Sequence, residues 1–164
     1  QILVEAKYPV CTEYVIAKEN DVFTKEGYVA TGDIGYIDED GYLYITGRIK
    51  EMIALSNSKK IFPQSIESKI ELHPEIDSCV LYGDEKPYLV AIIVPSDELT
   101  DSDKINKIIQ DYNSQSKDES RIYKYFISKE KFTQHNQLIS NQNKIKRQRI
   151  YEKYKIYLDA LYNN

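Results

Sequence analysis

The stretch "TGDIGYIDEDGYLYITGRIKEMI", residues 31–53, decides how the rest of the chain is read. Its middle, "GYIDEDGYLYIT" (35–46), places two β-rich arms on either side of Asp40-Gly41. A glycine there supplies the positive φ that a tight turn wants, so a β-hairpin is expected. On their own, Thr31-Gly32-Asp33 read as a turn, since Gly and Asp are turn formers, and Arg48 and Lys50 read as surface charges. Upstream, "QILVEAK" (1–7) has the pattern of a short strand, and residues 1–47 read as β structure throughout. These strands are too few to close a sheet of their own.

Beyond "GRIKE" (47–51) the pattern changes to alternating α and β. "MIALSNSKKIFP" (52–63) is an apolar, turn, apolar unit with Ser56, Asn57 and Ser58 at its tip. Pro63 suits the first position of a helix, where its missing N–H costs nothing, and Ile66 and Ile70 recur at helical spacing. Strands are expected at "SCVLYGD" (78–84) and "YLVAIIVP" (88–95). Asp101 and Ser102 can cap the next helix, whose stripe is Ile105, Ile108, Ile109 and Tyr112. A polar break at 113–120 precedes a last strand at "KYFISKE" (124–130) and a polar loop over 131–143. The final helix, about 145–162, carries the stripe Ile150, Tyr154, Leu158 and Leu161. Three helices and a short antiparallel or mixed sheet suffice for a small two-layer α+β domain, which sets a boundary near Lys50.

With 41% hydrophobic and 29% charged residues among 164, the chain reads as soluble and globular. A net charge of −4 argues against a general nucleic-acid binder, which needs clustered Lys and Arg to displace counterions from phosphates. The longest apolar runs, such as residues 88–95, fall well short of the roughly 18 to 20 residues that span a bilayer. Cys11 and Cys79 stand far apart with no metal-ligand spacing, and are expected to be reduced thiols in a cytoplasmic protein. His73 and His135 are isolated, and no metal site is expected. One run resists a plain reading. In "NKIKRQR" (143–149), Lys144, Lys146, Arg147 and Arg149 crowd the start of the last helix. The helix dipole is positive there, so each cation should cost about 0.3–1 kcal/mol. Read alone, the run is a solvated face.

Taken together, TGD (31–33), GRxKE (47–51), PxxIE (63–67) and KxKR (144–147), in this order and at these spacings, resemble the adenylate-forming superfamily. That superfamily includes acyl-CoA synthetases, luciferases and the adenylation domains of peptide synthetases. The likeness runs from about residue 20 to the C-terminus, and "LSNSKK" (55–60) with "KIKR" is most similar to bacterial long-chain fatty-acid CoA ligases. It implies that residues 1–49 are the C-terminal end of a large adenylation domain and residues 50–164 a mobile C-terminal domain. The phosphate-binding loop, adenine pocket and acyl tunnel would lie upstream, so this chain by itself is not expected to turn over.

The resemblance also implies roles by position. Asp33 matches the carboxylate that accepts hydrogen bonds from the ribose 2′ and 3′ hydroxyls, Thr31 belongs to the same nucleotide-binding motif, and Arg48 matches an arginine that also reaches the nucleotide. Lys50 falls at the hinge of a domain rotation. Ser56, Asn57 and Ser58 match the loop that lines the pantetheine channel during thioester formation. Ser58 stands where acyl-CoA synthetases commonly have Gly, and serine reaches positive φ less easily. Lys59 and Lys60 read either as solvated charges or as holders of CoA phosphates. Lys144 matches the catalytic lysine that bridges the attacking carboxylate and the α-phosphate, although "ISNQNK" lacks the Thr-Pro-Thr or Ser-Gly often found before it. Lys146, Arg147 and Arg149 are expected to tune the local field or to face the large domain.

For the intact enzyme the implied reaction has two steps. A carboxylate attacks the α-phosphate of Mg-ATP in line, giving acyl-AMP and pyrophosphate; the thiol of CoA then attacks the acyl carbon and AMP leaves. ATP, Mg2+ and CoA are therefore the expected cofactors. The expected partners are the large domain, a fatty acid and CoA, with peripheral membrane contact conceivable for a lipid substrate. Two alternatives stand beside this: a ligase that hands its acyl group to a carrier-protein phosphopantetheine, and a non-catalytic interaction module.

Overall fold

The structure, a computed structural model, describes residues 1–5, 24 and 26–163, so Cys11 and the first residues of the family likeness lie outside the described residues. The chain divides into two compact units, Gln1–Met52 and Ile53–Asn164.

The first unit holds two strand pairs. β1 (Leu3–Glu5) runs antiparallel to β2 (Tyr28–Ala30), and β3 (Asp33–Ile37) antiparallel to β4 (Leu43–Arg48). The β3–β4 turn is made as its residues require. The Asp38 carboxylate accepts the N–H groups of Asp40 (3.1 Å) and Tyr42 (2.8 Å), and Gly41 takes φ +87°. A bulge between Ile34 and Gly35 shifts the register. Gly35 is needed at that point, because a Cβ would fall 2.3 Å from the carbonyl oxygen of Tyr44.

The second unit is the α+β body. β5 (Ile53–Ala54) and β6 (Lys60–Ile61) form a minimal hairpin, and α1 (Pro63–Glu71) follows with Pro63 at its first turn. β7 (Ile76–Tyr82), β8 (Leu89–Pro95) and β9 (Ile122–Ile127) make one sheet in that spatial order, β7 antiparallel and β9 parallel to β8. α2 (Ser102–Ser114) lies between β8 and β9 in sequence and supplies the crossover that a parallel pair needs; Asp101 caps it by accepting the Asp103 N–H. α3 (Arg147–Ala160) ends the chain. β8 is apolar on both faces because both are covered. Cys79, Leu81, Ala91 and Ile93 pack with α1 and α2 through Ile66, Ile70, Ile105 and Ile109. On the opposite face Val80, Val90, Ile92 and Val94 meet Ile150, Tyr154 and Leu158 of α3.

Element ends differ from the sequence reading where side chains intervene. β9 begins at Ile122 because the Asn113 amide, at the end of α2, holds both the C=O (2.8 Å) and the N–H (2.9 Å) of Ile122. It stops before Ser128, whose hydroxyl turns inward to the Tyr154 hydroxyl and the Glu130 carbonyl. α3 starts at Arg147 rather than 145, since Ile145 bridges to Ile139 and the Lys146 N–H is spent on the carbonyl of Leu138.

β7 is an edge strand, and α1 manages its open side. The N–H of Cys79 goes to the Glu71 carboxylate (2.8 Å) and that of Leu81 to the Glu67 carboxylate (2.7 Å). The match is geometric: four helical residues advance about 6 Å and two strand residues about 6.6 Å, so i, i+4 acceptors meet i, i+2 donors.

Candidate functional site

Thr31, Asp33 and Arg48 come together in the first unit. The Thr31 hydroxyl donates to the Ile2 carbonyl (3.0 Å) and accepts the Asp33 N–H (3.1 Å). Gly32, at φ +78°, offers its carbonyl to the N–H of Ile49. This knot aims Asp33, and the Thr31 hydroxyl is already engaged in it. Asp33 lies directly opposite Arg48 across the β3–β4 ladder, and its Oδ1 meets Arg48 Nε at 3.0 Å. The Arg48 side chain is 55% exposed, so the pair is held weakly and is open to a polar ligand. An ionised carboxylate offers about four acceptor sites, and one bond to Nε leaves capacity for two vicinal hydroxyls. Lys50 lies in a 3-10 turn, Ile49–Glu51, shortly before the division between the units.

The second unit carries the other expected residues. Lys144 sits on a turn closed by the Ile139–Ile145 bridge. Ser140 organises that turn: its N–H reaches the Lys144 carbonyl (2.8 Å), and its hydroxyl accepts the N–H groups of Gln142 (3.2 Å) and Lys144 (3.1 Å). Asn143 takes φ +57°, a conformation asparagine tolerates better than most residues. The Lys144 ammonium is exposed and forms no ion pair among the described residues.

Its cationic neighbours behave differently, which corrects the expectation that Arg147 shapes the field or faces another domain. Arg147 is half-buried, its side chain 14% exposed, and both terminal nitrogens bond the two carboxylate oxygens of Glu67 (2.6 and 2.5 Å). Burial alone would depress its ionisation, but hydrogen bonding to Glu67 and the Glu67 charge outweigh it and hold the guanidinium charged. Tyr151, one turn further along α3, donates to the Leu81 carbonyl (2.7 Å), and burial pushes its phenol up to about 12. Glu67, Arg147 and Tyr151 thus clamp the edge strand β7 from α1 and α3. Arg149 is engaged by the side-chain oxygen of Gln137. The helix start is therefore less positive than its residues suggest, because Glu67 brings a carboxylate to it. Glu67 was legible only as part of a motif; Glu67 and Glu71, one turn apart beside Ile66 and Ile70, were the signal that they face β7.

Ser56, Asn57 and Ser58 form the exposed tip between β5 and β6. The Leu55 N–H reaches the Lys59 carbonyl (2.9 Å), the Ser58 N–H reaches the Leu55 carbonyl (2.8 Å), and the Asn57 side chain accepts the Lys59 N–H (3.0 Å). Ser58 adopts φ +66°, so this serine does occupy the left-handed region that favours glycine. Among the described residues no three or more His, Cys, Asp or Glu side chains gather to hold a metal ion, and no helix is long and apolar enough to cross a membrane.

Comparison with known proteins agrees with this layout. Residues 50–164 match the family model of the AMP-binding enzyme C-terminal domain. The chain is 31% identical over 166 aligned residues to the long-chain-fatty-acid–CoA ligase FadD15 of Mycobacterium tuberculosis, a match spanning 87% of this chain and 28% of that protein. In fold it is similar to the adenylation domain of the carboxylate reductase GR01_22995 from Mycobacterium chelonae, with TM-score 0.76 and 24% identity over 88% of this chain and 24% of the other. The adenylation domain of the Segniliparus rugosus carboxylic acid reductase, solved with AMP and a co-purified carboxylic acid, is similar at TM-score 0.76 and 22% identity, over 86% of this chain and 24% of that one. The chain thus spans about a quarter of the length of each of these three proteins.

Proposed function

The chain belongs to the AMP-binding, adenylate-forming enzymes, and from that premise we propose that it is the C-terminal part of an ATP-dependent ligase that converts a long-chain fatty acid to acyl-AMP and then to acyl-CoA. Residues 1–49 would close the large adenylation domain and residues 50–164 form the mobile one. The observation that carries the reading is Lys144: in a run of four cations, Arg147 is bound to Glu67, Arg149 to Gln137 and Lys146 is half-buried at the start of α3, while Lys144 is held out on a turn with its ammonium exposed and in no ion pair among the described residues. The likeness to a long-chain-fatty-acid–CoA ligase supports the acyl class.

In the first step Lys144 places its positive charge where the attacking carboxylate and the α-phosphate build up negative charge. That is electrostatic stabilisation, and it requires no proton transfer. Asp33 accepts the ribose hydroxyls, Thr31 keeps it aimed, and Arg48 moves from the Asp33 carboxylate towards nucleotide oxygens. Mg2+ enters with ATP, as the counter-ion of its phosphates. In the second step the Ser56–Ser58 tip lines the path of the CoA thiol. Lys50 acts as the hinge between the two arrangements.

The test is Lys144→Ala in the full-length enzyme. Acyl-AMP formation, followed by pyrophosphate release, should fall at least about 100-fold, the scale of removing one preorganised charge from a developing anion. Thioester formation from supplied acyl-AMP and CoA should be largely spared. Equal losses in both steps would remove Lys144 from this role, and thioester formation with a carrier-protein phosphopantetheine but not with CoA would change the acceptor.

A further inference from the structure

We propose that Asp84 is a positioning residue for the thioester-forming step, holding the Ser56–Ser58 tip in place from outside its own hairpin; this rests on the reading of that tip given above. The tip is exposed, and Leu55 is the adjoining residue that reaches the core, being 4% exposed. β5 and β6 contribute only two residues each, so the hairpin has little ladder to fix its direction. The bonds among Leu55, Asn57, Ser58 and Lys59 set the shape of the tip, but they do not set where it points.

Placement comes from the turn after β7. Asp84 Oδ1 accepts the Ala54 N–H at 2.9 Å, the Glu85 N–H donates to the Ala54 carbonyl at 2.8 Å, and the Ser56 N–H donates to the Lys86 carbonyl at 2.9 Å. Both polar groups of Ala54 and the N–H of Ser56 are thus bonded to residues 84–86. Residue 83 is glycine, and a Cβ there would fall 3.0 Å from Leu89 Cδ2, 3.1 Å from the Tyr88 carbonyl oxygen and 3.3 Å from Leu55 Cδ2, so a larger residue would press on these neighbours. The turn is in its turn anchored. Lys86 lies over the Tyr162 ring, 5.1 Å from its centroid, and 3.9 Å from Asp159. Tyr162 donates to the carbonyl of Tyr88 at 3.0 Å. The tip is therefore braced against the C-terminal end of α3 through one turn. In that brace, Asp84 is the side chain that bonds the β5 backbone directly, so substitution can remove its bond without disturbing a main-chain bond.

A loop that guides a thiol to an acyl carbon acts by orientation, and small misplacements are costly to such steps. In the full-length enzyme, Asp84→Ala should slow thioester formation from supplied acyl-AMP and CoA about tenfold, the scale of one charge-assisted hydrogen bond. Acyl-AMP formation should stay within about twofold of wild type. Asp84→Asn keeps an acceptor oxygen at the same place and should recover most of the loss. In the 164-residue chain, hydrogen exchange of the Ala54 amide should accelerate in Asp84→Ala and return towards wild type in Asp84→Asn. Unchanged Ala54 exchange, equal losses in both half-reactions, no loss in either, or an Asn variant as impaired as the Ala variant would each overturn the proposal. The parent reading fails separately. Wild type that makes acyl-AMP but no acyl-CoA would refute the CoA assignment, and the same two variants would then decide the Asp84 role with a carrier-protein thiol as acceptor.

Discussion

Ser58 holds a backbone conformation, φ +66°, in which its Cβ crowds the following carbonyl. The cost falls on the folded loop, and glycine would avoid it. Ser58→Gly should therefore stabilise the chain by about 0.5–1 kcal/mol, part of the relief being offset by the greater freedom of glycine when unfolded. Chemical denaturation of the 164-residue chain measures this, and a destabilised Gly variant would show that the serine makes a contact worth more than the strain. At the same scale, Thr31 illustrates a residue whose motif suggested ligand binding and whose hydroxyl serves the fold. It joins Ile2 to Asp33 and so fixes the direction of the carboxylate.

Between elements, the clamp on β7 is the feature with the largest energetic stake. Glu67 is 6% exposed and meets the Leu81 N–H and both terminal nitrogens of Arg147, joining α1, β7 and α3. Removing one member of a buried ion pair leaves the other charge in a poorly solvating place. Glu67→Ala should thus cost about 3–5 kcal/mol in an unfolding titration. Replacing both residues, Glu67→Leu with Arg147→Met, should recover much of that, because the penalty arises mainly from the stranded charge. By contrast, Asp33→Asn, at an exposed pair, should change stability by no more than about 1 kcal/mol. The comparison separates an ion pair that builds the fold from one that is available to a ligand.

At the scale of the whole molecule, the chain divides into two units close after Lys50, and the residues proposed to act in successive steps are distributed between them. If Lys50 is the hinge, a ring that locks φ there should hinder passage from one half-reaction to the next. In the full-length enzyme, Lys50→Pro should slow overall acyl-CoA formation at least about tenfold, while acyl-AMP formation in a single turnover and thioester formation from supplied acyl-AMP remain closer to wild type. Stopped-flow pyrophosphate release and quenched thioester yield provide the two measurements. Unimpaired overall turnover would place the hinge elsewhere.

Much of this was readable in order along the chain. The Asp40-Gly41 turn, Pro63 at the start of α1, the Asp101 cap and the apolar stripe of α2 each follow from forces within a few residues, and all four are present. The TGD, GRxKE, PxxIE and KxKR segments, matched as a set, identified the α+β family. What the chain could not disclose locally was which polar groups find partners far away in sequence. Glu67 and Arg147 are 80 residues apart, and only folding shows that one neutralises the other while Lys144 stays exposed on its turn. Asp84 and Ala54, 30 apart, meet for the same reason. Local propensity and periodicity act over a turn or a strand, whereas burying a carboxylate, a guanidinium or an edge N–H requires a partner brought in by the packing of whole elements. The sequence by itself therefore determined the elements, the family and the candidate residues; the tertiary structure decided which charges are paired within the fold and which remain exposed.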